Sequence, residues 1–170
     1  FESYFGFDYM QQAIDAYRNG VSQGTSVLSK RNDCMGLYVA SSFCDHDRSI
    51  AISKSQDVVL GYSEFIASIY SPLAKEKSYE YLDAHMARYL KNQSNMEFLL
   101  NETPSVLVGT PDDFINRLTK LEACGIDEVL LRIDGMPHNQ IMKSIRLIGE
   151  EVIPKFSKIK SSEAQSVNQH

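Results

Sequence analysis

The spacing of apolar residues over residues 108–156 predicts a helix, a buried strand, a turn and a second helix. The run Thr110–Asp113 (TPDD) is typical of a helix start. A threonine oxygen caps free amides, proline fits the first turn, and carboxylates favour the positive end of the helix dipole. The apolar face of this helix carries Phe114, Leu118 and Leu121. Gly125 is expected to end the helix in a left-handed conformation.

A continuous apolar stretch, Ile126–Ile133, predicts a buried strand after this helix. Gly135 is expected to turn the chain, Pro137 to open the last helix and Pro154 to end it. The buried face of that helix carries Ile141, Ile145, Ile148 and Val152. This order of elements corresponds to one and a half repeats of a parallel β/α barrel.

The first third of the chain is expected to contain a helix, a linker and a second buried strand. Apolar spacing predicts a helix from Asp8 to about Asn19, with Gly20 as its stop. The polar residues 20–33 are predicted to form an exposed loop. Cys34–Cys44 (CMGLYVASSFC) is apolar, rich in strand-forming residues and without a helical period. It therefore predicts a buried parallel strand.

The acidic residues after this strand are expected to cap a helix rather than hold a metal. Asp45 or Asp47 can cap a helix that runs to about Ser71. Pro72 is expected to lie beyond its end. Asp45, His46 and Asp47 could suggest a metal site, but adjacent residues do not easily converge on one ion.

The remaining elements are too few to close a barrel. A further helical region is predicted over residues 77–100 with a break at 92–95, and a short extended piece at 105–108. A closed parallel barrel needs eight strands. The predicted fold class is therefore α/β, as the C-terminal part of a (β/α)8 TIM barrel that is helix-rich and incomplete on its own. This unit is assigned to residues 1–156, followed by a polar and flexible tail over 157–170.

Composition excludes two classes of partner. The chain has 170 residues, 43% of them apolar, and a net charge of −5 with scattered basic residues. It has no basic field to hold a nucleic acid, and no apolar run near the roughly 18 residues that span a bilayer. The three cysteines are widely spaced and odd in number, and no secretory leader is recognisable. We therefore expect reduced thiols and a cytoplasmic protein.

Two motif sets carry a resemblance to a known family. GTPDDF followed by GIDEVLL, and GMPH followed by EEVIP, resemble the closing segment of the bacterial luciferase-like flavin-dependent monooxygenases. AIDAYR and the strand segment CMGLYVASSFCDHDRSIAI are similar to earlier parts of the same barrel, more loosely. The resemblance implies a TIM barrel that uses reduced FMN, supplied by a flavin reductase, and O2 to oxidise a small organic substrate. Some relatives use the deazaflavin F420 instead.

The resemblance also selects candidate site residues, because barrel active sites lie at the carboxyl ends of the strands. The candidates after the two long strands are Ser41, Ser42, Cys44, Arg132, Asp134 and His138. His138 is a candidate catalytic residue at the rim, or it caps the last helix or faces solvent. Arg132, the second catalytic candidate, could offset an anionic flavin or substrate, or form an ion pair with Asp134.

Three residues are candidates for cofactor binding. Ser41 and Ser42 could hydrogen-bond the flavin, or cap the helix that follows the strand. Asp134 could also contact the cofactor, or serve only as a turn residue. The matching strand of sulfonate-oxidising relatives carries an Arg and a His, and the corresponding positions here are placed at Leu37 and Val39. Their apolar side chains favour a less charged substrate.

Two other functions stay open beside the FMN monooxygenase. The chain could be a non-catalytic half-barrel that partners the remainder of the barrel or a homologous subunit. It could also be an F420-dependent oxidoreductase on the same fold.

Overall fold

The computed structural model describes residues 2–24, 34–73 and 76–156. It is a mixed α/β structure with six α-helices and four short strands in these ranges. The helices are α1 (Phe7–Gln23), α2 (Arg48–Leu73), α3 (Asp83–Asn92), α4 (Met96–Glu102), α5 (Pro111–Ala123) and α6 (His138–Leu147), with a 3₁₀ helix at Lys77–Leu82 and a π turn at Ile148–Val152. The strands are β1 (Gly36–Val39), β2 (Ser41–Cys44), β3 (Val106–Gly109) and β4 (Glu128–Leu131).

The strands form two parallel pairs that share one central strand. β1 pairs with β4, with Leu37 opposite Val129. β2 pairs with β3, with Ser42 opposite Leu107. The two long strands and the short third strand predicted from the sequence are thus present, and both pairings are parallel as predicted.

The central strand contains one additional residue at Ala40, between β1 and β2. In a regular parallel pair, one residue bonds to two residues of the neighbouring strand that are two positions apart. The Arg132 amide donates to Val39 O (3.0 Å), and Arg132 O accepts from the Ser42 amide (3.1 Å), so these partners are three positions apart. This geometry is a β-bulge.

The bulge reverses which residues face each side of the sheet. Before it, Val39 packs on one side and Ala40 on the other; after it, Phe43 packs with Ala40, and Cys44 packs with Val39. Residues 40 and 43 would face opposite sides in a regular strand. The bulge therefore turns the side chain of Ser41 to the same side as Ala40.

Two hydrophobic cores lie on the two sides of the sheet. The first core joins the amino-terminal segment to α2, α3 and α4, and its buried members include Tyr4, Phe43, Val59, Met86, Tyr89 and Leu99. The second core joins the sheet to α1, α5 and α6, and its members include Met10, Ile14, Leu37, Phe114, Leu121 and Leu147. The sheet is thus the middle layer between two helical layers.

The predicted helix start at Thr110 is confirmed in detail. The Asp113 amide donates to Thr110 Oγ1 (3.3 Å), and Asp113 Oδ2 accepts from the Thr110 amide (2.9 Å), which forms a reciprocal capping box. The helix ends at Ala123 with Cys124 as its C-cap, and Gly125 follows with a φ of 92°, the left-handed conformation predicted for it. Gly135 also has a positive φ of 78°, and a Cβ there would lie 2.5 Å from a Val58 methyl group.

Two predicted helix ends are wrong. α1 runs through Gly20 to Gln23, and the Gly24 amide caps it by donating to Gly20 O. Gly20 faces open space, so a glycine costs this helix only its intrinsic propensity and does not stop it. α2 includes Pro72 and ends at Leu73. A proline in the last turn removes a single backbone hydrogen bond, which a helix of this length tolerates.

The two remaining helical predictions need a smaller correction. The region 77–100 is divided into the 3₁₀ helix, α3 and α4, and the predicted break at 92–95 is confirmed. Pro154 does not end the last helix, which continues to Phe156. The π turn directly before Pro154 widens the helix and replaces the regular bonding pattern that a proline would interrupt.

The β1·β4 pair is open on the β4 side. Exposed and half-buried residues alternate along β4, and Leu130 is 66% exposed. In the described ranges no further strand pairs with β4. The predictions for the linker over 25–33 and the tail over 157–170 lie outside the described residues. Within the described residues, no helix is long and apolar enough to cross a membrane.

Candidate functional site

Arg132, directly after β4, is the charged residue at the centre of the site. Its Nε and Nη2 atoms lie 2.7 and 2.6 Å from Asp134 Oδ2. Its guanidinium carbon lies 4.6 Å from the centre of the Tyr62 ring on α2. Burial lowers the pKa of Arg132, but its hydrogen bond to Asp134 and the charge of that carboxylate outweigh this and raise the pKa above its ordinary value. Arg132 is therefore a fixed positive charge.

Buried polar groups from the amino-terminal segment and the bulge lie beside Arg132. Glu2 Oε1, the Tyr4 hydroxyl and Ser41 Oγ are buried and have no hydrogen-bond partner of good geometry. Burial raises the pKa of Tyr4, and the neighbouring Ser41 hydroxyl offsets this only in part. Burial also raises the pKa of Glu2, against the opposing effects of Tyr62 and Arg132. We call Glu2, Tyr4, Ser41, Tyr62, Arg132 and Asp134 the mouth cluster, because they gather at the carboxyl ends of β1 and β4.

The structure brings together three of the six candidate residues: Arg132, Asp134 and Ser41. Cys44 is instead buried in the second core. Ser42 faces the neighbouring strand instead, and its hydroxyl donates to Arg132 O at 2.6 Å. His138 is exposed as the first residue of α6. Their predicted roles stay predictions, although the Ser42 hydroxyl proton is already bound within the sheet.

Leu37 and Val39 do not face the mouth cluster. Both are buried in the second core, among residues of α1, α5 and α6. Tyr38 and Ala40 lie on the opposite side of the strand and pack on the first core. Side chains alternate along a strand, so a shift of one residue exchanges the two faces. The apolar character of Leu37 and Val39 therefore carries no information about the substrate.

A cavity of about 350 Å³ adjoins the mouth cluster. It lies between the amino-terminal segment, the second half of α2 and the 3₁₀ helix. Its lining residues are Glu2, Tyr4, Phe5, Tyr9, Ile66, Ile69, Tyr70, Leu73, Tyr79, Tyr81 and Leu82. We call it the tyrosine cavity. Three of these residues, Tyr4, Phe5 and Tyr9, come from the first ten residues of the chain.

The tyrosine cavity does not suit the anionic parts of a flavin. Among its described lining residues the only charged group is the Glu2 carboxylate, which would repel both a phosphate and an anionic reduced ring. Arg132, by contrast, is a cation, and it offers a bound anion its charge, because Asp134 Oδ2 already takes its Nε and Nη2 donors. The residues present therefore fit the ring end of a flavin on the Arg132 side, and the described part of the cavity offers no phosphate site.

The acidic residues after β2 have structural roles. Asp47 Oδ1 accepts from the amides of Ser49 and Ile50, as predicted for a helix cap. Asp45 is 3% exposed and accepts two hydrogen bonds of 3.1 Å from Lys143 of α6. Burial raises the pKa of Asp45, but Lys143 and the positive charge of Lys54 outweigh it and hold the pKa below its ordinary value. In the described ranges no group of three potential ligands could hold a metal ion.

Sequence reasoning did not identify Glu2, Tyr62 or the tyrosines of the 3₁₀ helix. Glu2 precedes an aromatic run near the start of the chain, and only its packing shows that it is buried. Tyr62 lies in the middle of a long helix, where its spacing equals that of an ordinary core residue. The tyrosine pair Tyr79 and Tyr81 was a detectable signal, since such closely spaced aromatics exceed what one helix face can bury.

Comparison with known proteins identifies the fold and no closer relation. No family model matches the chain, and no curated protein matches it. The crystal structure of monooxygenase RslO1 from Streptomyces bottropensis is similar over 88% of this chain, with 16% identity and a TM-score of 0.52. The coenzyme F420-dependent tetrahydromethanopterin reductase from Methanopyrus kandleri is similar over 86%, with 18% identity and a TM-score of 0.53.

The match covers only a part of each solved structure. The chain spans 38% of the monooxygenase and 42% of the reductase. The helix-rich α/β arrangement with parallel strands is therefore shared with about two fifths of the length of a monooxygenase and of a reductase. At this level of identity the similarity describes the fold alone.

Proposed function

We propose that this chain forms the C-terminal part of a luciferase-like TIM barrel that acts as a flavin-dependent monooxygenase with reduced FMN and O2. The mouth cluster carries the proposal, because it places a fixed cation and unpartnered buried polar groups at the carboxyl ends of the strands, where barrel active sites lie. The fold shared with a monooxygenase and a reductase supports the same class of chemistry. The remaining barrel strands and a flavin reductase are the proposed partners.

The residues of the chain have distinct tasks in this proposal. Bound flavin supplies the redox chemistry. Arg132 faces the negative charge of the reduced ring, and Asp134 and Tyr62 hold the guanidinium in position. Ser41 Oγ and the Tyr4 hydroxyl lie beside each other without a hydrogen bond of good geometry, so either can hydrogen-bond a ring atom or substrate. His138 is proposed as a rim residue that contacts substrate or cofactor once the barrel is complete.

The proposal is tested by anaerobic titration of the full chain with reduced FMN, followed by absorbance and calorimetry. We expect measurable binding that weakens at least tenfold in Arg132→Ala. The matched control is Arg146→Ala, an exposed arginine of α6, which should bind as the unmodified chain does. Equal affinity of the Arg132 and Arg146 variants, or no binding at millimolar reduced FMN, would overturn the proposed role of this site.

An F420-dependent oxidoreductase is the second candidate, favoured by the similarity to a reductase that uses this coenzyme. Titration with F420 under the same conditions separates the two candidates, because tighter binding of F420 than of reduced FMN selects the second.

The open edge of β4 favours a third candidate, a non-catalytic half-barrel partner. In that case the chain would associate with a second polypeptide or a second copy and bind neither cofactor. Light scattering combined with both titrations distinguishes this candidate from the two enzymes.

A further inference from the structure

The tyrosine cavity has the size and composition of a small-molecule site. Its volume of about 350 Å³ lies within the range of ligand pockets in proteins. Six of its described lining residues are aromatic and four are aliphatic, with one carboxylate. An apolar wall with a single charged group is typical of sites that bind an amphipathic ligand by one specific contact.

The charged group of the cavity is only partly satisfied, because Tyr62 offers the Glu2 carboxyl a hydrogen bond and one of its oxygens still has no partner. Glu2 Oε1 is buried without a hydrogen bond. Arg132, whose charge acts on Glu2, lies outside the lining and is held by Asp134 at 2.6 Å. Buried acceptors in native proteins nearly always have a partner, so an orphan oxygen at a cavity wall indicates a missing one.

The aromatic residues provide ring faces at the cavity opening. Tyr79 and Tyr81 are stacked with ring centres 6.4 Å apart, and Tyr81 is 69% exposed. Deeper in the cavity, Phe5 meets Tyr70 edge to face at 5.0 Å. Ring faces attract alkylated cations, which lose little hydration on binding.

We propose that the tyrosine cavity binds a small organic cation, a quaternary ammonium or alkylated amine, with Glu2 Oε1 as its counter-charge and the tyrosine rings around its alkyl groups. A neutral ligand without a hydrogen-bond donor would leave Glu2 Oε1 unpaired, and an anion would be repelled by the carboxylate. A metal ion would have one carboxylate ligand, which is too few. The further suggestion that this cation is the oxidised substrate rests on the proposed function; its binding does not.

The test uses the full chain with choline and its uncharged carbon isostere, 3,3-dimethylbutan-1-ol. The two probes have nearly the same shape and differ in charge. Binding is measured by calorimetry and by tyrosine fluorescence, which is readable because the chain has no tryptophan. We expect choline to bind at least tenfold more tightly than the alcohol. Equal affinity for the two probes would overturn the proposal. So would the absence of choline binding at 10 mM, a concentration about ten times a dissociation constant of 1 mM.

Variants locate the binding site. Glu2→Gln should weaken choline binding at least tenfold and leave binding of the alcohol unchanged. Glu64→Gln, an exposed carboxylate of α2 outside the cavity, is the matched control and should change neither. Tyr81→Ala removes an exposed ring at the opening and should weaken choline binding severalfold without unfolding the chain. Normal choline binding in both Glu2→Gln and Tyr81→Ala would place the cation elsewhere and overturn the proposal.

The proposed flavin-dependent function and the proposed cation site can be refuted independently of each other. Arg132→Ala should weaken the binding of reduced FMN and leave the affinity for choline within a factor of two of that of the unmodified chain. If flavin binding is absent but choline binds as described, the proposed function fails and the cation site stands. If flavin binds and choline does not, the reverse holds.

Discussion

The two strand pairs have the same parallel pairing and different surroundings. All eight residues of β2 and β3 are buried, because α2, α5 and α6 cover them. In the β1·β4 pair, β4 alternates between exposed and half-buried residues. Parallel sheets are normally covered on both faces. We call β2·β3, which helices cover, the closed pair, and β1·β4, whose β4 side chains are partly exposed, the open pair. In the described ranges neither β3 nor β4 has a second neighbouring strand.

The largest expected contrast comes from the same substitution made in each pair. Leu107 of β3 is 3% exposed and Leu130 of β4 is 66% exposed. Leu107→Ala should lower the free energy of unfolding by about 2–5 kcal/mol, since it leaves a cavity in a packed core. Leu130→Ala should change it by less than about 0.5 kcal/mol. Urea unfolding followed by circular dichroism measures both.

The expected difference between Leu107→Ala and Leu130→Ala can be contradicted by experiment. If Leu130→Ala costs as much as Leu107→Ala, β4 is buried in solution by association with another chain. Repeating the measurement over a hundredfold range of protein concentration would then show a concentration-dependent stability.

The carboxylates that precede and follow the strands give the second contrast. Asp45→Asn, at the end of the closed pair, should lower the free energy of unfolding by about 2 kcal/mol, because it removes a buried charge bound by Lys143 and Lys54. Asp127→Asn is the counterpart in the open pair. It should cost about 0.5 kcal/mol, since an amide oxygen can still accept from the Met35 amide.

The Asp45 contribution should depend on pH in one direction. The folded-state pKa of Asp45 is lowered, so the contribution is fully present above the unfolded-state pKa of about 4. It is lost as the pH falls through the lower folded-state value. The stability difference between the unmodified chain and Asp45→Asn should therefore be constant from pH 7 to pH 5 and shrink below pH 4. A difference that grows on acidification would contradict the assigned ion pair.

A smaller effect on stability is expected at the cap of α5, the helix that connects the two strand pairs. α5 follows β3 directly and leads to β4, and Thr110 caps its first turn. Thr110→Ala should cost about 1 kcal/mol. Thr119→Ala, at an exposed position inside the same helix, should be neutral or slightly stabilising because alanine is the better helix former. Thermal unfolding of the two variants is sufficient, and equal melting temperatures would show that the cap contributes nothing.

The smallest effect concerns single amides of the open pair. The amides of Glu128 and Arg132 donate to the central strand, so the Leu130 amide points the same way and the Val129 amide points to the open edge. Hydrogen exchange should be at least tenfold slower at Leu130 than at Val129. Equal protection of the two amides would indicate that another strand occupies the edge.

The sequence was sufficient where a local rule acts alone. The capping box at Thr110, the left-handed Gly125 and both long strands follow from side-chain chemistry within a few residues. Gly20 and Pro72 were misjudged because one unfavourable residue costs a long helix only its own propensity or a single backbone hydrogen bond. Of the candidate site, Arg132, Asp134 and Ser41 follow from their positions after strands. Glu2 and Tyr62 come from distant segments, and no spacing rule connects them.

The bulge at Ala40 makes the length of this strand a determinant of its chemistry. Removing that one residue would restore the regular alternation of side chains between the two sides of the sheet. Each side chain after the bulge would then face the opposite side. Ser41 and Phe43 would turn toward the second core, and Ser42 and the thiol of Cys44 would turn to the side of the sheet that carries the mouth cluster. Homologues that differ here by a single insertion or deletion should therefore be aligned by the side of the sheet that each residue faces. Alignment by residue identity alone would match side chains that lie on opposite sides of the sheet.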